Sequence, residues 1–237
     1  MWLTPLIIQQ PSPHTSIMSR GSYTIHQTVI VERYPSIASH TVDCRFICDA
    51  DLSGIVGSPS VGAAVAFNNR GGLAAIAIAT AQHAVVIQST GGRAEATTGW
   101  EVLRNAVFQS PMITVYAFDG HVFALSLFQD LKLPACNVID LQSVNSSKRD
   151  PITVIKFCLG PDVDVYEENL QELFQDSTWD DHANTGINNL IQKSWLAFLL
   201  SRSKSIQLQL KAIPPINLMT WPDQVSYLGW VMMNGYL

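Results

Sequence analysis

Three apolar segments crowded between residues 62 and 88 constrain this chain most: 62–67 (GAAVAF), 73–80 (LAAIAIAT) and 84–88 (AVVIQ). Each is short for a helix, and turn residues separate them: Asn68-Asn69-Arg70-Gly71-Gly72, then Ala81-Gln82-His83. Connectors this short join antiparallel neighbours, because a parallel pair needs a crossover of about a dozen residues or more. The first two segments show no polar alternation, which predicts strands buried on both faces. A sheet of that kind must be covered by helices.

The flanking sequence supplies them. Apolar spacing is helical over 100–108 and 122–131, where apolar residues stand at 122, 123, 125, 127, 128 and 131. Between and after these, 113–117 (ITVYA) and 137–140 (NVID) read as strands, and the C-terminal third offers helices over 167–174, 184–201 and 222–236. Upstream, Asp49 and Asp51 precede 52–56, which predicts a short helix with an acidic cap ending at Gly57-Ser58-Pro59. The expected fold class is α/β, a mixed sheet of antiparallel meander plus parallel strands flanked by helices. Residues 9–21 carry the Pro, Ser and Gly chemistry of a lead-in, and 23–31 (YTIHQTVIV) reads as a strand. This gives an N-terminal extension, 1–41, with one strand, and a main domain, 42–237.

Composition narrows the function. A net charge of −5 and only 14% charged residues exclude a protein that coats nucleic acid by bulk electrostatics. The four cysteines (Cys44, Cys48, Cys136, Cys158) lack the paired spacing of a zinc site and are expected to be reduced thiols. The apolar run 3–8 is broken by Thr4 and Pro5 and is too short for a signal sequence or a membrane span. An intracellular, soluble protein is expected, cytoplasmic or nuclear. No nucleophile elbow, phosphate loop or metal-type spacing is present, so no cofactor is expected.

Three stretches, in order, resemble the motif regions of the DEDD superfamily of 3′-5′ exonucleases, in its RNase D-like branch. AVAFNNRGGLAAIAIAT (64–80) is similar to the first, a strand ending in an acidic D-x-E, a turn and a second strand. ITVYAFDGHVFALSLFQDLKLPACNVIDLQ (113–142) resembles the second region, and WPDQVSYLGWVMMNGYL (221–237) the last. The resemblance spans 42–237 and implies an RNase H-like fold.

It also implies two-metal phosphodiester hydrolysis by four converging carboxylates, which hard cations such as Mg²⁺ require. At those positions the resemblance places Asn68 and Arg70, then Phe123, then Val231. None is a carboxylate, while Tyr227 matches the tyrosine of the last motif. Asp119 is the nearby acid of the second region, and Asp140 matches an aspartate that is not a metal ligand, for which a bonding role to nearby backbone is expected. His121 is expected to be a surface or cap residue. The implied protein is a pseudo-exonuclease without metal or cofactor, similar to inactive exonuclease-domain proteins of animals. The role the resemblance implies for this chain is that of an adaptor or dimerisation scaffold in an RNA-processing or small-RNA (piRNA-type) complex. Its expected partners are proteins, with a homodimer and weak RNA contact; Arg70, Lys193, Arg202 and Lys204, with Trp195, are the residues available for RNA. A third reading keeps an active, metal-dependent nuclease with a site remodelled around Asp119, Asp140 and Tyr227. The acids at 162, 164, 167, 168, 176, 180 and 181 read as a solvated surface.

Overall fold

The computed structural model describes residues 17–23, 29, 36–89, 98–145, 149–175, 179 and 184–220. In chain order these form β1 (Ile17–Tyr23), β2 (Ile37–Asp43), α1 (Ser53–Val56), β3 (Ser60–Phe67), β4 (Leu73–Ala79), β5 (His83–Gln88) and α2 (Thr98–Leu103). They continue with β6 (Thr114–Ala117), α3 (Gly120–Leu131), β7 (Val138–Asp140), α4 (Pro151–Leu159), α5 (Glu167–Gln175), α6 (Asn184–Ser201) and α7 (Gln207–Ala212). A π-helical turn, Arg104–Phe108, extends α2.

The strands make one mixed sheet in the order β1-β2-β5-β4-β3-β6-β7. β3, β4 and β5 form the antiparallel meander, while β3–β6, β6–β7 and β2–β5 are parallel. Every residue of β4 is buried, as its unbroken apolar sequence requires.

The two faces of the sheet differ in side-chain size, and this positions the helices. Ala75, Ala77 and Ala79 of β4 join Ala84 and Val86 of β5 in a core with α4, α5 and α6. Ile76 and Ile78 point the other way, into a core with α1, α2 and α3. The small-residue face lets α6 lie close on the sheet. At Gly62 a β-carbon would stand 2.0 Å from the Ser194 carbonyl oxygen and 2.3 Å from the Phe198 nitrogen. Only glycine admits that approach without moving the helix.

Several sequence expectations change. β2 crosses the expected 41/42 boundary and pairs with β5, so part of the N-terminal extension is built into the main sheet. Residues 17–21, expected as lead-in, belong to β1. Of the expected strand over 23–31, Tyr23 ends β1 and Val29 is a buried turn residue; the remainder lies outside the described residues. The short helix at 53–56 receives no side-chain cap. Asp51 instead accepts the Cys48 backbone N–H at 3.0 Å and its thiol at 3.2 Å, closing the preceding loop. The expected helix 222–236 lies outside the described residues, as do the apolar side chains there.

Helix α4 has an N-terminus that its sequence specifies: Asp150 accepts the Ile152 and Thr153 N–H groups at 3.0 and 3.1 Å, and Pro151 occupies the first turn. Asp150→Ala is expected to cost about 1 kcal/mol of stability, read as a lower denaturation midpoint with an unchanged slope.

None of the four cysteines is in a disulfide. Cys44 and Cys158 are buried, and burial pushes the Cys158 thiol up to about 12. A thiol reagent added to the native protein is therefore expected to modify Cys48 and Cys136 and spare the other two until the chain is unfolded. Among the described residues no helix is long and apolar enough to cross a membrane.

Candidate functional site

Parallel pairing of β3 with β6 runs from Ser60↔Thr114 to Ala63↔Ala117. Beyond it the two chains diverge, β3 towards its turn and β6 into α3, and a cleft of about 290 Å³ opens between them. Its walls are Ala63, Ala64, Val65 and Phe67 of β3, then Phe118, Asp119, Val122 and Phe123, with Gln142, Pro151, Phe174 of α5 and Lys193 of α6.

Aromatic rings dominate this cleft. Phe118 and Phe174 meet edge to face with centroids 4.8 Å apart, and the Lys193 ammonium lies 5.7 Å from the Phe174 centroid. Phe123 is fully buried against Phe108 at 5.9 Å and belongs to the core beneath α3.

Asp119 is the acid among the cleft residues. It sits at φ 51°, ψ 56°, a left-handed conformation that aspartate tolerates better than most residues, and it caps α3 by accepting the Val122 N–H at 3.4 Å. Although the residue presents much of its surface, withdrawal of its carboxyl from water raises its pKa, and Asp140 adds to the rise. The Val122 bond and the charges of His121 and Arg149 oppose that shift.

Asp140 is buried and fully engaged: it accepts the Gly120 N–H at 3.2 Å, the Gln142 N–H at 3.0 Å and the Ser143 hydroxyl at 2.8 Å. The carboxylate thus clamps the start of α3 to the turn after β7. His121 lines a neighbouring cavity of about 440 Å³ with Asp140 and Ser143.

The other sequence candidates separate. Asn68 and Arg70 are exposed on the β3–β4 turn, beyond the cleft walls. There the Asn68 side-chain oxygen accepts the Arg70 and Gly72 N–H groups at 2.9 and 3.0 Å, which fixes the turn. Tyr227 and Val231 lie outside the described residues. Of the cations, Lys193 enters the cleft, Arg202 lines a different cavity of about 700 Å³ beside Trp195, Phe198 and His83, and Lys204 is exposed past the end of α6. They do not form one patch, and Trp195, at 3% exposure, is a core residue. Of the acidic stretch, Glu167 pairs with Lys156, and 176, 180 and 181 lie outside the described residues.

Sequence reasoning missed the cleft's Phe174, Gln142 and Lys193 grouping. Nothing in the sequence brings α5 and α6 to the end of β6.

The architecture is an RNase H-like α/β fold, a mixed sheet flanked by helices with the cleft at the end of the β3–β6 pairing. The fold is similar to the EXO domain of Nibbler from Aedes aegypti, with a TM-score of 0.52 and 15% identity over 69% of this chain and 84% of that one. Lower similarity extends to Escherichia coli RNase D (TM-score 0.45, 15% identity, 70% of this chain and 44% of that one). The catalytic core of RRP6 from Trypanosoma brucei follows (TM-score 0.41, 12% identity, 70% and 47%). No protein-family model and no curated protein matches the sequence.

The resemblance to exonucleases, and not the fold itself, implies divalent ions held by carboxylates. The residues of this cleft do not fit them: a hard cation of the Mg²⁺ type requires several oxygen ligands, and the walls offer one carboxylate and one amide among phenylalanines. Among the described residues no three His, Cys, Asp or Glu side chains gather to hold a metal.

Proposed function

We propose that this chain is a pseudo-exonuclease, a domain that retains the nuclease fold without hydrolysing phosphodiesters and serves as an adaptor or dimerisation scaffold. The observation that carries the reading is the cleft itself. Where the fold's chemistry would need converging carboxylates, it has three partly buried aromatic walls, Phe67, Phe118 and Phe174, over a fully buried Phe123. Phenylalanine neither binds a hard cation nor moves a proton. Mutual aromatic packing stabilises the place instead.

The setting is an RNA-processing or small-RNA (piRNA-type) complex in the cytoplasm or nucleus, by analogy with the fold's relatives.

The direct test incubates the protein with single-stranded RNA and Mn²⁺. No cleavage above a buffer control is expected. Cleavage that disappears in Asp119→Ala would overturn the reading in favour of a remodelled nuclease. Light scattering in solution tests the dimer: a mass of twice 26.1 kDa is expected, and a monomer at all concentrations contradicts it.

One arrangement favours a second reading, an RNA-binding module that does not cleave: Lys193 stands over Phe174 beside Phe118, a cation with ring faces in the old groove. Salt-dependent RNA binding weakened by Lys193→Ala would support it, and no binding at low salt would end it.

A further inference from the structure

We infer that the positions from which a D-x-E pair would reach this cleft are Ala64 and Ala66, so that its carboxylates are lost by truncation to methyl groups. Asn68 and Arg70 are then turn residues. The inference rests on the cleft being the counterpart of the exonuclease site, and it locates the vacancy within it.

Two residues separated by one along a strand share a face. Ala64 and Ala66 share the α6 face of β3, in the core cluster that also holds Phe118 and Phe174. Register fixes their depth. The β3–β6 ladder ends at Ala63↔Ala117, so Ala64 occupies the next rung, beside Phe118 and one residue before Asp119. Ala64 lines the cleft and is partly exposed to it. Two residues on, Ala66 is buried on the same face, behind the cleft wall, so only a longer side chain such as glutamate would extend from it toward the cleft.

Asn68 and Arg70 fail on the same geometry. The strand has ended at Phe67, the chain is turning, and the Asn68 oxygen is committed to the N–H groups of Arg70 and Gly72. A residue fully used in closing its own turn needs no explanation as a replaced ligand.

The test compares wild type, Ala64→Asp/Ala66→Glu and Asn68→Asp/Arg70→Glu in calorimetric titrations with Mn²⁺. The 64/66 pair is expected to gain saturable binding at least about tenfold tighter than the other two proteins, because three carboxylates including Asp119 then face one space. Adding Asp119→Asn should remove the gain. Equal or tighter binding by the 68/70 pair, or no gain by the 64/66 pair, overturns the assignment.

Should the double variant fail to fold, Ala64→Asp alone is read by carboxyl NMR. A second carboxylate beside Asp119 raises the Asp119 midpoint, whereas Asn68→Asp leaves it in place; the reverse pattern overturns the assignment. Failure of the broader reading looks different, because wild type would then bind Mn²⁺ and cleave RNA by itself.

Discussion

Phe123→Ala is expected to lower the unfolding free energy by about 3–5 kcal/mol, and the melting temperature by on the order of 10 °C for a chain of this size. The ring is fully buried and meets Phe108 at 64° between planes, so truncation leaves a cavity and removes an edge-to-face contact. Phe123→Asp should be worse, since it adds an unpaired carboxylate to an apolar core. The resemblance to exonucleases places a catalytic carboxylate at this residue, whereas the structure makes it a keystone beneath α3. Thermal denaturation followed by circular dichroism checks this. A loss under about 1 kcal/mol would show an open, vestigial position instead of core.

Gly62→Ala is expected to be nearly as damaging, and for a backbone reason. The added methyl would meet the carbonyl of Ser194 at 2.0 Å and the nitrogen of Phe198 at 2.3 Å, both main-chain atoms of α6. A side chain could swing aside, but a helix must shift as a body. Overpacking of this kind costs about 1–3 kcal/mol, and here the upper end or more. Shifting α6 would also carry Lys193 away from Phe174, so loss of stability should come with a change in the cleft. Ala64→Gly, by contrast, removes one methyl from the cleft wall and should leave α6 in place.

The meander was legible because its chemistry is local: apolar runs of strand length with Gly- and Asn-rich turns give β3, β4 and β5 to within two residues of their observed limits. Helix α3 and the strands before and after it were legible for the same reason. β2 was not. Its sequence, IASHTVD, mixes polar and apolar residues, and pairing with β1 and β5 makes it a strand. β1 reads as a linker because Ser19, Arg20, Gly21 and Ser22 lack apolar pattern.

The cleft shows the same division. Asp140 could be assigned a backbone-bonding role from its place in a motif, and it accepts three hydrogen bonds. Lys193 and Phe174 could not be joined to Phe118, because that contact depends on how α5 and α6 return across the sheet. Nor could motif spacing separate Ala64 from Asn68. The register of β3 on β6, whose last rung is Ala63↔Ala117, is what supports the inference that favours Ala64.

A crystal structure of the protein grown with Mn²⁺ tests the chemistry of this cleft most directly. The predicted result is a cleft between Ala64, Phe118 and Asp119 with no ordered metal ion and with the Phe118–Phe174 pair intact. A pair of ions coordinated there, with Asp119 among their ligands, would contradict it.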